Sequence, residues 1–376
     1  VETFSPILAQ SYALAVAELR TCYDERGIVA GRHQYDDYWT RDAGFAWMAA
    51  LELGDWQVAQ RHLEFLSRLQ RRDGMIPFLI RRHLSPFAMW DIKIRIPPRP
   101  KFRSHKSLFL SEVIDSNPWF AIGLADLVAH TREAFLLTDL IAHIYPALGW
   151  CLGKVGPDGL VREGILAGWN DGILKSGRTL LNNVIFYQAF NRWSGLDPDF
   201  STAARGIKEA LQRDFFNGHY FIDWINRRPH NYFDSNANFL AILWGVADQY
   251  QADRIMDFAF ENLLDPPLVK LVHPRYRPGL IDPANRLLGV ADYSDGRLYW
   301  LDTACLFVLA LEKMGRKREA EDFLFCLASL VIKHGGVYEI YDRSFQPVRR
   351  WNCRAEHPFA RSAGLFALAC RKLGLV

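Results

Sequence analysis

Two carboxylates set in glycine-bounded loops are the residues best placed to do chemistry. Asp171 lies in Gly168-Trp169-Asn170-Asp171-Gly172-Ile173, and Glu339 in Gly335-Gly336-Val337-Tyr338-Glu339-Ile340-Tyr341-Asp342. Each has an aromatic neighbour, Trp169 and Tyr338 respectively. An aromatic wall desolvates a carboxyl group and raises its pKa, which suits a group that must hold a proton until a leaving atom needs it. Hydrolysis of a glycosidic bond asks for two such groups on opposite sides of the bond. One protonates the leaving oxygen, and the other, ionised, activates water or attacks the sugar. They need not be neighbours in sequence, only in space. The residues alone leave plainer readings open: Asn170-Asp171-Gly172 is also an ordinary turn signal, and Glu339 is also readable as a solvated loop glutamate.

The elements that must position this pair are helical. Ile7, Leu8, Tyr12, Ala13, Val16 and Leu19 recur at three- and four-residue steps and predict a helix over 6–24. A polar, aromatic stretch, 31–42, runs into 43–52, which is apolar nearly all round and predicts a helix buried on most sides. The next helix, 56–71, carries one apolar stripe (Val58, Leu63, Leu66, Leu69) opposite Gln60, Arg61, Glu64 and Arg68. This alternation recurs. Polar lead-ins rich in Asp, Asn, Trp or Tyr meet mostly apolar helices at 38–43, 115–120, 181–186, 234–239, 299–304 and 356–361, with amphipathic partners near 136–153, 200–214, 250–264 and 316–334. The period is degenerate, roughly 55–75 residues, and marks a repeated helical hairpin. Asp-Ser-Asn at 115–117 and again at 234–236 is its clearest self-similarity.

Six apolar helices that each need neighbours on both sides predict a closed ring. The expected fold is all-α, an (α/α)6 barrel of six hairpins forming a single domain over 1–376, with the polar lead-ins gathered at one end. An open helical array is the alternative, disfavoured because the apolar helices show so little polar face. Two proline-rich stretches, 83–107 and 265–298, interrupt the rhythm; they are expected as long loops and as candidate lids over that end.

Composition works by exclusion. A formal charge of +3 argues for neither nucleic acid nor a membrane surface as partner, and no apolar run reaches the ~18 residues of a membrane span. The six cysteines are scattered, without a C-x-x-C pair, and are expected to be reduced in a cytoplasmic protein. The sequence has no G-x-G-x-x-G, P-loop, H-x-x-x-H or G-x-S-x-G pattern, so no cofactor, metal site or serine nucleophile is expected. The partner expected is a carbohydrate substrate. The pattern carries no signal for an oligomeric state.

The order of the motifs resembles the α/α-barrel (six-hairpin) glycoside hydrolases. These include the amylo-α-1,6-glucosidase domain of glycogen debranching enzymes, processing α-glucosidase I, and the mannosylglycerate and glucosylglycerate hydrolases. Tyr38-Trp39-Thr40-Arg41-Asp42 is similar to the W-x-R-D segment of that group, Asp115-Ser116-Asn117-Pro118-Trp119-Phe120 to its D-[ST]-x-x-W-[FW] helix start, and Gly168-Trp169-Asn170-Asp171 to its W-x-D loop. Lys175 to Tyr187, Tyr338-Glu339-Ile340-Tyr341-Asp342 and Pro358 to Gly364 resemble its later motifs. The resemblance implies an inverting α-glycosidase with Asp171 as general acid and Glu339 as general base, and with Arg41 and Asp42 holding the terminal sugar. It also implies carboxyls ~6.5–9.5 Å apart, rather than the ~5 Å of retaining enzymes. Arg361 departs from the pattern, standing where the group usually has tryptophan. No β-sandwich domain is evident either, which favours a small glycoside over a large branched polymer.

Further candidates for substrate contact are Tyr38, Asp115, Asn170, Asn183, Gln188, Tyr338 and Tyr341, with Trp39, Trp119, Trp169 and Trp300 as stacking platforms that read equally well as core. Arg41, Lys175, Arg178, Arg275 and Arg277 could form a cationic corner for a carboxylate-bearing aglycone such as glycerate. Two other classes stay open at this point. One is a sugar epimerase relaying protons through His33, His230, His334 or His357; the other is a non-catalytic glycan-binding protein.

Overall fold

The computed structural model describes residues 6–87, 92–104, 111–131 and 137–375. The chain runs through α1 (Pro6–Thr21), α2 (Thr40–Glu52), α3 (Trp56–Ser67), α4 (Ser116–Thr131), α5 (Thr138–Ile141), α6 (Ile144–Leu152), α7 (Leu180–Arg192), α8 (Pro198–Asp214), α9 (Ser235–Leu243), α10 (Gln249–Asn262), α11 (Pro283–Leu287), α12 (Leu301–Lys313), α13 (Lys317–His334) and α14 (Ala360–Lys372). The six apolar helices form the inner ring: α2 packs on α4, α4 on α7, α7 on α9, α9 on α12, α12 on α14, and α14 returns to α2. The ring therefore closes. Around it, α3, α6, α8 and α13 pack against the inner helices, α1 lies against α13 and α14, and α10 joins the same core through Ile255, Met256 and Ala259.

Close approach within the ring is specified by small residues. A Cβ on Gly44 of α2 would lie 2.4 Å from the Trp119 ring of α4, and one on Gly123 of α4 would lie 2.4 Å from the Trp47 ring of α2. Each indole thus fills the space that the facing glycine leaves, and this fixes the register of the two helices.

The inner helices begin in a shared way that ties the loops down. Residues before α2, α7, α12 and α14 are extended and provide no side-chain cap, so the first N–H groups need other acceptors. A neighbouring loop supplies them. Thr40 N–H donates to Phe78 O at 3.0 Å, Leu180 to Asp223 O at 2.7 Å, Ser235 to Leu271 O at 3.0 Å, Leu301 to Glu339 O at 3.1 Å and Ala360 to Ala30 O at 2.8 Å. Short antiparallel pairs flank these bonds: Arg178–Thr179 with Trp224–Ile225, Phe233–Asp234 with Val272–His273, and Tyr299–Trp300 with Ile340–Tyr341. A repeated asparagine adds a clamp. Asn183 accepts from Val161 N–H (2.8 Å) and donates to Val161 O (3.2 Å), while Asn238 does the same to Phe221 at 3.0 Å each way. Outer helices use ordinary caps instead: Asp197 with Pro198 at the start of α8, and an Asp248/Gln251 capping box at α10.

The two interrupting stretches are more ordered than loops. Residues 79–101 contain an antiparallel hairpin, β2 (Leu79–Phe87) with β3 (Ile92–Lys101), which continues from β1 (Tyr38–Trp39) as a three-stranded sheet in the order β1-β2-β3. The prolines argued against strands in the sequence. Pro97, Pro98 and Pro100 are tolerated because β3 is the edge, where an N–H need not enter a ladder, and Pro86 of β2 sits where the register slips between Leu84 and Phe87. Residues 88–91 and 105–110, with Trp90, Lys106 and Ser107, lie outside the described residues. The 265–298 stretch is likewise built of the Leu264–Asp265/Leu268–Val269 pair, the 3-10 turns Pro278–Leu280 and Ala291–Tyr293, and α11.

Candidate active site

Two different devices present the carboxylate pair. Glu339 is fixed through its main chain, whose C=O takes the first N–H of α12 and whose N–H donates to Glu356 O at 3.1 Å. Its side chain is buried, and Oε2 accepts from Glu356 N–H at 3.0 Å. Burial, reinforced by Glu356, Asp42 and Asp302, pushes the Glu339 carboxyl well above the usual carboxylate range despite that hydrogen bond. Asp171 is half-buried in a loop closed by reciprocal Glu163/Gly177 backbone bonds of 2.8 and 3.0 Å. Neighbouring segments hold this loop in place. Asn170 Nδ2 donates to Ser294 O at 3.1 Å, Asp282 N–H to Gly172 O at 2.9 Å, and Leu174 N–H to Leu280 O at 2.7 Å. The 265–298 stretch therefore packs directly on the Asp171 loop.

Trp300 joins the two loops: it pairs with Ile340, next to Glu339, and its ring meets that of Trp169, two residues before Asp171. The Tyr35 phenol is raised well above its usual value, first by burial and then by charges that include Glu339 and Asp171. The Tyr35 side chain itself is half-buried. Tyr35 meets Trp39 edge-on at 6.3 Å and Phe359 at 6.0 Å.

Below them the charges are paired but crowded. Arg41 pairs with Asp115, and Arg361 with Asp302. The Arg361 guanidinium lies 4.2 Å from the centroid of the Phe45 ring and 5.2 Å from that of Trp169. Asp42 is raised by burial, with Arg361 and Arg41 opposing and Asp302 and Asp115 adding to the shift. A tight crevice, too narrow in this structure to admit a water molecule, is lined by Arg41, Phe45, Trp119, Trp169, Asn236 and Arg361, among others. Among these, Trp119 Nε1, Asn236 Nδ2 and Arg361 Nη1 are buried donors without a hydrogen-bond partner. A larger cleft, lined by Arg26, Tyr38, Arg82, Arg95 and Pro97 among others, shares no lining residue with it.

The structure brings Trp39, Arg41, Asp42, Asp115, Trp169, Asn170, Trp300 and Tyr338 into or beside this region. Trp300 crosses Trp169 edge-on at 5.5 Å and donates to Tyr293 O at 3.1 Å, and Tyr338 stacks on His357 at 4.3 Å. Trp119 is core whose indole edge reaches the crevice, so it offers no face for stacking. Other expected contacts are engaged elsewhere. Tyr38 is buried against His62 and Phe65 with its hydroxyl on Asp24 at 2.8 Å. Asn183 spends its amide on the loop clamp, and Gln188 and Tyr341 are buried in helix and core.

The cationic corner does not assemble. Lys175 is buried on Asp223 (2.6 Å) and Asp234 (3.7 Å), Arg178 pairs with Asp158 at 2.5 Å, and Arg275 and Arg277 are exposed. Of the histidines, His230 stacks on Trp224 at 4.0 Å, His334 meets Phe345 O at 2.9 Å, and His357 meets Glu18 at 2.7 Å. His33 is held by its backbone N–H to Glu356.

The sequence reading overlooked Tyr35, Asp302, Glu356 and Glu163. Asp302 and Glu356 stand in the polar lead-ins that were recognised, and that position was the available signal. Glu163 had none: it lies under Gly168, where a Cβ would come within 2.7 Å of its carboxylate. Burial lifts its pKa to about 8 while Lys175 pulls it down, and it accepts from Asn182.

This architecture is shared with solved structures. A glycosidase matches over 98% of both chains at TM-score 0.70 and 16% identity. A mannosylglycerate hydrolase from Thermus thermophilus, in complex with Tris and D-glycerate, matches over 96% of this chain and 99% of its own at TM-score 0.70 and 16% identity. The fold is that of the α/α-barrel glycosidases. A rhamnosidase from Klebsiella oxytoca with rhamnose bound matches over 99% of this chain at TM-score 0.69 and 15% identity, and this chain spans 65% of its length. No protein-family model and no curated protein matches the sequence.

Proposed function

We propose that this protein is a glycoside hydrolase that cleaves an α-glycosidic bond, in a small oligosaccharide or a glycosylated small molecule, with inversion at the anomeric carbon. The observation that carries the proposal is the pair of loop carboxylates, Asp171 and Glu339, whose loops meet through Trp300 at the polar end of a closed helical ring. The glycosidases that share this fold support it. Asp171, half-buried in a loop held by its neighbours, protonates the leaving oxygen. Glu339 takes a proton from water, and Arg41 and Asp42 hold the sugar. As a base, Glu339 must be ionised, so its raised pKa moves the alkaline requirement of the reaction upward.

That same shift favours a second reading in which the roles are exchanged, because a carboxyl held protonated is the natural acid. One experiment separates the two. A glycosyl fluoride needs no protonation of its leaving group. Under the first reading Asp171→Asn keeps turnover of the fluoride while Glu339→Gln loses it, and under the second the outcomes swap. Retained turnover of ordinary glycosides by both variants would remove the pair from catalysis.

A further inference from the structure

The β2–β3 hairpin carries a charge pattern that the catalytic proposal does not use. Its described residues, 79–87 and 92–104, include Arg81, Arg82, Lys93, Arg95, Arg99, Lys101 and Arg103 and no acidic residue. Arg82 and Lys93 are neutralised by Asp24 and Asp36. Arg95, Arg99, Lys101 and Arg103 are exposed, and none has an ion-pair partner among the described residues. Arg95, Arg99 and Lys101 stand opposite His83, Arg81 and Leu79, alternate positions of β2, and so share a side of the sheet, with a bulge between Arg95 and Arg99; Arg103 follows beyond β3, opposite Glu112.

The row is anchored to the site. Lys101 pairs across the sheet with Leu79, and Leu79 with Trp39, so Lys101 shares the sheet face with the indole that touches Tyr35. Just past β3, Ser104 Oγ donates to Leu166 O at 2.7 Å, within the Asp171 loop. The cations therefore lead outward from the catalytic loop, while the region around Glu339 is rich in carboxylates. A ligand matching both would place an uncharged terminal sugar beside Asp171 and Glu339 and its acidic remainder along the hairpin.

We infer that the hairpin is a binding surface for the acidic residues of a short oligosaccharide, the aglycone side of the substrate. This rests on the glycosidase reading for its orientation, but it is tested by binding alone. The full-length protein and an Arg95→Glu/Arg99→Glu/Lys101→Glu variant would be titrated with polygalacturonate, with neutral dextran, with vesicles containing phosphatidylserine and with duplex DNA, at two salt concentrations. The expected result is salt-sensitive binding of polygalacturonate that the variant weakens more than tenfold, no binding of dextran, and an unchanged thermal midpoint because the substituted side chains are exposed. Equal binding of polygalacturonate by parent and variant, or tighter binding of vesicles or DNA than of polygalacturonate, would overturn the inference. Absence of hydrolysis would bear on the catalytic pair and leave this result standing.

Discussion

Glu339 and Asp223 occupy the same position in the helical repeat, and their surroundings have nothing else in common. Each gives its main-chain carbonyl to the first N–H of an inner helix, Leu301 and Leu180 respectively. Asp223 is fully answered: Lys175 Nζ sits 2.6 Å away, and Tyr276 donates its hydroxyl. Burial pulls the Lys175 ammonium down, but Asp223 and Asp234 outweigh it and hold the ammonium charged. Glu339 faces Asp42, Asp302 and Glu356 instead, with one backbone N–H in its favour. The same backbone device thus presents one carboxylate that completes the interior and one that is left electrostatically unsatisfied. A buried group that the fold does not neutralise is the one available to a substrate.

The sharpest way to break this contrast is Glu339→Gln. It is expected to cut kcat by roughly 10²–10⁴-fold, the range for losing a general acid or base, while the thermal midpoint holds or rises because a raised, crowded carboxyl is removed. A fall in stability with activity intact would make Glu339 structural. Asp223→Asn should do the reverse. It leaves the buried Lys175 charge with the more distant Asp234 at 3.7 Å, and denaturant titration should show a loss of roughly 3 kcal/mol, with kcat per folded molecule within a few-fold of the parent.

Glu163 gives a test that depends on pH. Its folded pKa of about 8 lies above the ordinary value of 4.5, so the folded state holds its proton more tightly than the unfolded chain does. The associated stability is full below about pH 4.5 and is lost as the pH rises towards about 8. Glu163→Gln should therefore be more stable than the parent at pH 8–9 and match it near pH 4.5, as read by thermal melts. The smallest effect is expected from Asn238→Ala, which removes the loop clamp at Phe221 and should cost about 1–3 kcal/mol with little change in kcat.

The ring was legible because burial on all sides writes itself into composition: α4, α9 and α12 are apolar nearly throughout. Lead-ins were legible because an inner helix that lacks a side-chain cap must begin beside polar loops. What the sequence hid was pairing. Lys175 and Arg178 read as substrate-binding cations, yet Asp223 and Asp158, distant in the chain, claim them. Tyr38 read as a site residue from its motif, although β1 turns successive side chains to opposite faces and sends Trp39 towards Tyr35 and Tyr38 towards His62. The hairpin was missed because its prolines look like breakers unless the strand is known to be an edge.

The glycine seats of Trp47 and Trp119 have an optical consequence. With both indoles buried and their Nε1 atoms unpartnered, they should emit at short wavelength and resist quenching by iodide, giving a constant blue background. Trp169 and Trp300, in contact at the Asp171 loop, and Trp351, 84% exposed on the surface, form a separate, accessible population. A change in quenchable emission when a sugar is added would then report on the site without any label.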